Sequence, residues 1–467
     1  MGLYRDLTDY SNSDMYPMHM PGHKRNDEFL NIDEACKIDI TEIDGFDNLH
    51  HADGVIKELQ DRVAALYGAM ESYILVNGSS CGIMSAVCAV CDNEDDIILT
   101  RAAHQSAYNA VELKGLNAHY ILPQYNEFFG INSAVCVDDV KAALETTPNA
   151  KAVLIVSPTY EGVTAPIREI ANTVHSNGKL LIVDEAHGAH LGFSAENECS
   201  AVTQGADIVI QSLHKTLPAY TQSAVLHICS ERVDTNKVRK YLSIFQTTSP
   251  SYILMSGIDR CVDLLEKNKD ELFNAYYNRL TAFYKSAKNF ENIKLLKKGM
   301  FKDTGYDIGK IYICSNKATG NDIYNALRSR KIQPEMATVR GCLCMTSVAD
   351  TSDGFDRLIK ALDDIDKELC NKPAIKIPAC DFEVPKKLMS ASQAAKKETE
   401  YLPLCECTGK VSAEYLKAYP PDIPLLVPGE VIDKKLIDRL VQYENHGIRV
   451  HSNSGRFPQA LCVIKNI

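Results

Sequence analysis

The sequence predicts an α/β protein, a mostly parallel sheet flanked by helices and followed by smaller α+β units. Short apolar runs alternate with helical patterns from residue 55 to about residue 230. Helix start and stop signals separate those runs, and after about residue 290 the pattern changes to shorter strands and one strongly amphipathic helix.

Taken in order, Val55, Leu59, Val63 and Leu66 repeat at helical spacing before Gly68. Tyr73 to Val76 reads as a strand that runs into Asn77-Gly78-Ser79-Ser80, with an apolar helix behind it. Ile97 to Leu99, Val153 to Val156, Leu180 to Val183 and Ile208 to Ile210 are further buried strands. Pro166 opens a helix carrying Ile167, Ile170 and Val174, and Asn177-Gly178 closes it. A long helix is expected from Ile258 to about Phe290, a strand over Lys310 to Cys314, and a helix with Phe355, Leu358, Leu362, Ile365 and Leu369 inward. Pro373, Pro378 and Pro385 mark a linker, and a last helix carries Ile432, Leu436, Leu440 and Tyr443. The expected units are an N-terminal arm over 1–54, a large α/β domain over 55–290, a small α+β domain over 291–372 and a C-terminal domain over 373–467. No internal repeat is found.

Composition narrows the function. Of 467 residues, 45% are apolar and 24% charged, ordinary for a soluble globular chain. With 50 basic against 61 acidic residues the net charge is −11, which argues against a nucleic-acid surface. The polar N-terminus, Met1-Gly2-Leu3-Tyr4-Arg5-Asp6, lacks the layout of a secretory signal, and no apolar run approaches a membrane span. The expected location is the cytoplasm, with the 16 cysteines reduced. Cys88-x-x-Cys91 falls late in a helix, where no dipole activates a thiol. Cys342-x-Cys344 and Cys405-x-Cys407 lack zinc-type spacing and read as buried small hydrophobes.

The suggestive polar residues all follow strands, the edge where open parallel sheets bind ligands. Gly78-Ser79-Ser80 turns backbone N–H groups, two hydroxyls and a helix dipole toward one point, which suits a phosphate, although ordinary helix caps use the same residues. Asp184 ends a strand and begins Asp184-Glu185-Ala186-His187-Gly188; a carboxylate there can keep a ring nitrogen protonated. The same letters mark nucleotide-hydrolysing motors, but the Gly-Lys pairs beginning at 178, 309 and 409 are followed by Leu, Ile and Val, so no P-loop exists. His187-x-x-His190 beside Asp184 lacks the further ligands of a metal site. Lys215, in Ser212-Leu213-His214-Lys215, sits between apolar segments, where burial would lower its pKa and make it a nucleophile. His104, read at the end of the strand Thr100 to His104, offers an imidazole to stack on a flat ring. A phosphate cup, a strand-end acid, a buried lysine and an imidazole at one sheet edge describe a site for pyridoxal 5′-phosphate (PLP).

The ordered set Pro21-Gly22-His23-Lys24, Asn77-Gly78-Ser79-Ser80, His104, Asp184 to Gly188, Ser212-x-His214-Lys215 and Thr248-Ser249-Pro250-Ser251-Tyr252 resembles the bacterial ornithine/lysine/arginine decarboxylases of PLP fold type I. Tyr419-Pro420-Pro421-Asp422-Ile423-Pro424 and Pro428-Gly429-Glu430 resemble that family's C-terminal domain. The length is similar to the short branch without a wing domain. The resemblance implies decarboxylation of a basic amino acid, with Lys215 holding PLP as a Schiff base and Asp184 paired with the ring nitrogen. It implies that His104 stacks on the ring, that His187 lies near it, and that Ser79, Ser80, Cys81, Ser212 and His214 surround the phosphate. His214 or Lys215 would protonate the product carbon. Thr248 would reach the neighbouring subunit's phosphate, which makes the protein a homodimer or a higher homo-oligomer. Two departures stand out: Gln105 where the family usually has lysine, and Ser79 where it often has threonine. An aminotransferase or lyase on the same fold, and a silent PLP-binding subunit, are the rival readings; retention of Lys215, Asp184 and His104 argues against the second. Asp44, Asp47 and Glu430 are candidate partners for the substrate's basic group.

Overall fold

The structure is a computed structural model that describes residues 12–20, 22–24, 26, 38–196, 198–375, 384–419, 423–445 and 449–466. Of the residues singled out in the sequence, 1–6, Pro21, Pro378, Pro420, Pro421 and Asp422 lie outside them.

Seven strands form the main sheet: β1 (Glu71–Leu75), β2 (Asp96–Thr100), β3 (Asn117–Ile121), β4 (Ala152–Val156), β5 (Leu180–Asp184), β6 (Ile208–Gln211) and β7 (Ala224–Ile228). Their order is β1-β7-β6-β5-β4-β2-β3. Every pairing from β6 to β3 is parallel, and β7 alone runs antiparallel to both its neighbours. The parallel strands are apolar on both faces because helices cover both. Ile98, Val153, Val183 and Val209 belong to one buried cluster, and Ile97, Leu154, Ile182 and Ile208 to the other. The mostly parallel sheet expected from the sequence is the one found.

The connecting helices follow local signals. The helix Val55–Tyr67 ends at Gly68, whose left-handed backbone (φ 76°) closes it. Its buried stripe is Ile56, Leu59, Val63 and Tyr67, whereas Val55 is exposed and Leu66 half-buried. The inward face is therefore turned one residue from the expected one. The long helix begins at Tyr252, six residues before Ile258, because the Ser251 side chain accepts the Leu254 N–H and caps it. At the other end of the chain, Ile432 precedes the helix Lys434–Asn445 rather than opening it.

A four-stranded sheet of Ile293–Leu295, Lys310–Ser315, Gly341–Met345 and Met336–Ala337 forms the smaller α+β unit, backed by the helices Gly320–Ser329 and Ser352–Leu369. The N-terminal strand Tyr16–Met18 pairs in parallel with Ile332–Pro334 and docks the arm on this unit. The C-terminal unit has its own core around Leu416, Leu426, Leu436, Leu440 and Leu461. It is tied to the main sheet by the buried pair Arg101–Glu430 at 3.0 Å.

Candidate active site

The carboxyl ends of β1, β2, β5 and β6 open into a cavity of about 780 Å³. Ser79, His104, Asp184, His187 and Lys215 line it from the sheet side. Glu335, Tyr324 and Met336 line it from the smaller unit, Tyr160 and Glu161 from the loop after β4, and Arg449 from the C-terminal unit.

Gly78 starts the helix Gly78–Val90 with φ 72°, a conformation that only glycine adopts without strain, and so turns the chain sharply from strand to helix. Ser79 lines the cavity, while Ser80 is exposed. Cys81 is a correction to the expected cup. Its thiol points back at the Gly78 carbonyl, 3.0 Å away, and burial pushes it up to about 12. His104 is a second correction. Strand β2 stops at Thr100, and His104 instead caps the helix Gln105–Lys114, its Nδ1 accepting the Ser106 N–H at 3.2 Å. The cap fixes the ring at the cavity wall.

Asp184 is buried and accepts the Ala186 N–H at 3.1 Å. Burial raises its pKa, opposed by His104 and Lys215. Burial likewise lowers the Lys215 pKa, against Asp184 and Glu335. Lys215 Nζ lies 3.0 Å from His187 Nε2, and His187 Nδ1 lies 2.9 Å from Lys310 Nζ. Tyr160 packs on the His187 ring at 4.5 Å between centroids and donates to Glu335 Oε1 at 2.6 Å.

His214 does not line the cavity. Its Nδ1 lies 2.9 Å from the Ser223 carbonyl oxygen, and burial brings its pKa down to about 4. Thr248 is exposed, next to Thr247, whose N–H reaches Asn77 Oδ1 at 3.3 Å. Gln105 is buried and donates to Asn109 Oδ1 at 2.8 Å. The three acids considered for the substrate are not in the cavity lining. Asp47 caps the helix at Val55, accepting the Gly54 N–H at 2.7 Å, Glu430 pairs with Arg101, and Asp44 is exposed. Glu161 and Glu335 do line the cavity. His190 sits 3.2 Å from Asp307 rather than joining His187 in a metal site.

Sequence reasoning missed Lys310, Glu335 and Glu161. A signal existed for the first: Lys310 is the one charged residue in a strand, Lys310–Ser315, that is buried throughout. The glutamates sit in stretches without any regular pattern, so nothing local announced them.

The residues present fit PLP. The hydroxyls of Ser212, Thr216 and Ser223, flanking Lys215, are buried without a hydrogen-bond partner among the described residues. Three orphaned donors beside a helix start await an oxygen-rich group such as a phosphate. Comparison with known proteins agrees. Residues 1–310 match the family described as "Orn/Lys/Arg decarboxylase, major domain", and residues 381–450 match its C-terminal domain. The chain belongs to the Orn/Lys/Arg decarboxylase family. It is 31% identical to the arginine decarboxylase of Bacillus subtilis, over 99% of this chain and 97% of that protein. Lysine decarboxylase A from Pseudomonas aeruginosa has the same fold, with a TM-score of 0.74 at 18% identity over 91% of this chain and 73% of that one. A structure of SPT with its PLP internal aldimine superposes with a TM-score of 0.53 at 15% identity, over 67% of this chain and 76% of that one. The expected class of enzyme, an amino-acid decarboxylase, is thus borne out. Among the described residues no helix is long and apolar enough to cross a membrane.

Proposed function

We propose that this family member removes the carboxylate of arginine in preference to lysine or ornithine, with PLP held through Lys215. One observation carries the reading. A single cavity joins a half-buried lysine, a strand-end aspartate and a serine at a helix start to two glutamates on the opposite wall. The full-length likeness to an arginine decarboxylase favours arginine. A guanidinium donates two parallel hydrogen bonds to a carboxylate, and Glu335 and Glu161 are the acids available for it.

PLP, when bound, supplies the electron sink for the pair released as CO₂ leaves. The protein does the rest. Asp184 keeps a proton on the ring nitrogen, and its burial concentrates that charge interaction. Ser79, Ser212 and the helix start at Gly78 bind the phosphate. His104 and His187 orient the ring, and Lys215 returns a proton to the carbon after CO₂ has left. Thr248, exposed beside the cup, reaches a second copy of this chain in a cytoplasmic homodimer.

The test is CO₂ release and amine formation by the purified, PLP-supplied protein from each of the three amino acids. Arginine is expected to react with the highest kcat/KM. Release from lysine or ornithine alone would overturn the arginine assignment, and release from none would overturn the function.

A further inference from the structure

Lys310 has no assigned task, yet it is 1% exposed, and among the described residues no carboxylate lies within ion-pair distance of it. Its Nζ instead reaches His187 Nδ1 at 2.9 Å and Met345 Sδ at 3.6 Å. A buried amine without a carboxylate is costly unless it serves a purpose. The fold makes room for it. Gly162 has φ +102°, and a Cβ there would stand 2.7 Å from Lys310 Cβ and Cγ, so the glycine opens the path for the stem.

We propose that Lys310 is a positioning residue that shares one proton with Lys215 through the His187 imidazole. The inference rests on the reading of Lys215 as the amine that holds PLP. The imidazole lies between the two amines, 3.0 Å from one and 2.9 Å from the other. With the proton on Lys215, its ammonium donates to Nε2, and the Nδ1–H of the ring donates to the neutral Lys310. In the transfer, Lys215 gives its proton to Nε2 while Nδ1 gives its own to Lys310. The ring ends in its other tautomer and is never charged, and the count of protons is unchanged. Lys215 is left with a free lone pair, which it needs to attack a carbonyl carbon.

The surroundings suit this exchange. Burial, then Lys215 and Lys310, hold the His187 pKa well below the usual imidazole value, with His104 and His214 acting in the same direction. The ring therefore relays a proton rather than keeping one. Burial brings Lys310 down to about 7. Asp307 and Glu335 favour its charge, and Lys215 and Lys24 oppose it. On the other side, Asp184 and Glu335 favour the charge of Lys215. Two amines whose pKa values are both lowered by burial, joined by a neutral ring, exchange a proton without admitting water.

The test uses the full-length, cofactor-free protein. Brief reductive methylation from about pH 6 to about pH 10, read by mass spectrometry at Lys215, gives the fraction of free amine. In the wild type, labelling rises in two steps, as coupled amines require. In Lys310→Met and in Lys310→Gln it rises in one step at higher pH, because Lys215 has lost the partner that takes its proton. Near pH 7.5 it falls by about tenfold, the equivalent of roughly 1.4 kcal/mol. Lys310→Gln keeps a donor for His187 and guards against a misfolded Lys310→Met. A folded variant of either kind with the wild-type two-step profile would overturn the proposal. Borohydride reduction of the PLP-loaded wild type, followed by peptide mapping, separates the two readings. Pyridoxyl on another lysine overturns the assignment of Lys215, whereas pyridoxyl on Lys215 with an unchanged profile in Lys310→Gln overturns the relay alone.

Discussion

The two walls of the cavity were built by different means. The sheet-side wall carries Ser79, His104, Asp184, His187 and Lys215, each within a few residues of a strand end. The opposite wall carries Glu335, Tyr324 and Met336 from the smaller unit and Arg449 from the C-terminal one. The first wall is set by local rules, because a parallel sheet presents every strand's carboxyl end to one edge. The second depends on how the units pack. The difference suggests a division of labour: the sheet edge holds the cofactor and the reaction, and the far wall holds the substrate's side chain.

Variants can break that division. Lys215→Ala is expected to cost roughly 10⁴-fold or more in kcat and to abolish the visible absorbance of bound PLP, near about 420 nm. Retention of both would remove Lys215 from the sheet-side machinery.

The seam between the main sheet and the C-terminal unit is tested by Glu430→Ala, which strands Arg101 in a buried site 3.0 Å from where its partner was. Denaturant unfolding should show a loss of about 3–5 kcal/mol. A loss near zero would mean that the pair does not hold the two units together.

Asp184→Asn should lower kcat by about 10²- to 10³-fold and let PLP dissociate more readily on dialysis, with KM little changed. Glu335→Gln should do the reverse, raising KM for a basic amino acid by roughly tenfold or more while kcat falls less. If Glu335→Gln changed only kcat, the far wall would belong to the reaction rather than to substrate recognition.

The most gradual effect, spread over several pH units, is a pH dependence of the sheet itself. His227 is buried with Nδ1 2.8 Å from Ser72 Oγ and Nε2 3.1 Å from Gln211 Oε1, an arrangement that fits a neutral ring. Burial brings its pKa from 6.5 down to about 3. The unfolded chain therefore binds more protons between those values, and stability, intact above pH 6.5, is lost as pH falls toward 3. The loss is about 1.4 kcal/mol per pH unit for that one group. A His227→Gln protein should show a shallower acid slope in its unfolding free energy, and an unchanged slope would clear His227 of the effect.

The same contrast explains what the sequence could tell. Strands β1, β2, β4, β5 and β6 were legible because each is a short apolar run bounded by turn or cap residues, and Lys215, Asp184 and Ser79 were legible because they directly follow such runs. His104 was found for the wrong local reason, as a strand end when it is a helix cap. Cys81 and His214 lay in the right motifs with side chains turned elsewhere, and a motif gives no side-chain direction. Asp47 and Glu430 looked available because their partners, the N–H of Gly54 in one case and Arg101 in the other, are invisible along the chain.

By itself the sequence determined the alternation of strands and helices and the residues that face the sheet's carboxyl edge, both of which follow from periodicity and neighbours within a few positions, while the resemblance of its motifs pointed to the family. Only the tertiary structure brought Lys310 to His187 across 123 residues of chain and set Glu335 opposite Lys215. Contacts of that length depend on the packing of separate units, which no short stretch of sequence encodes.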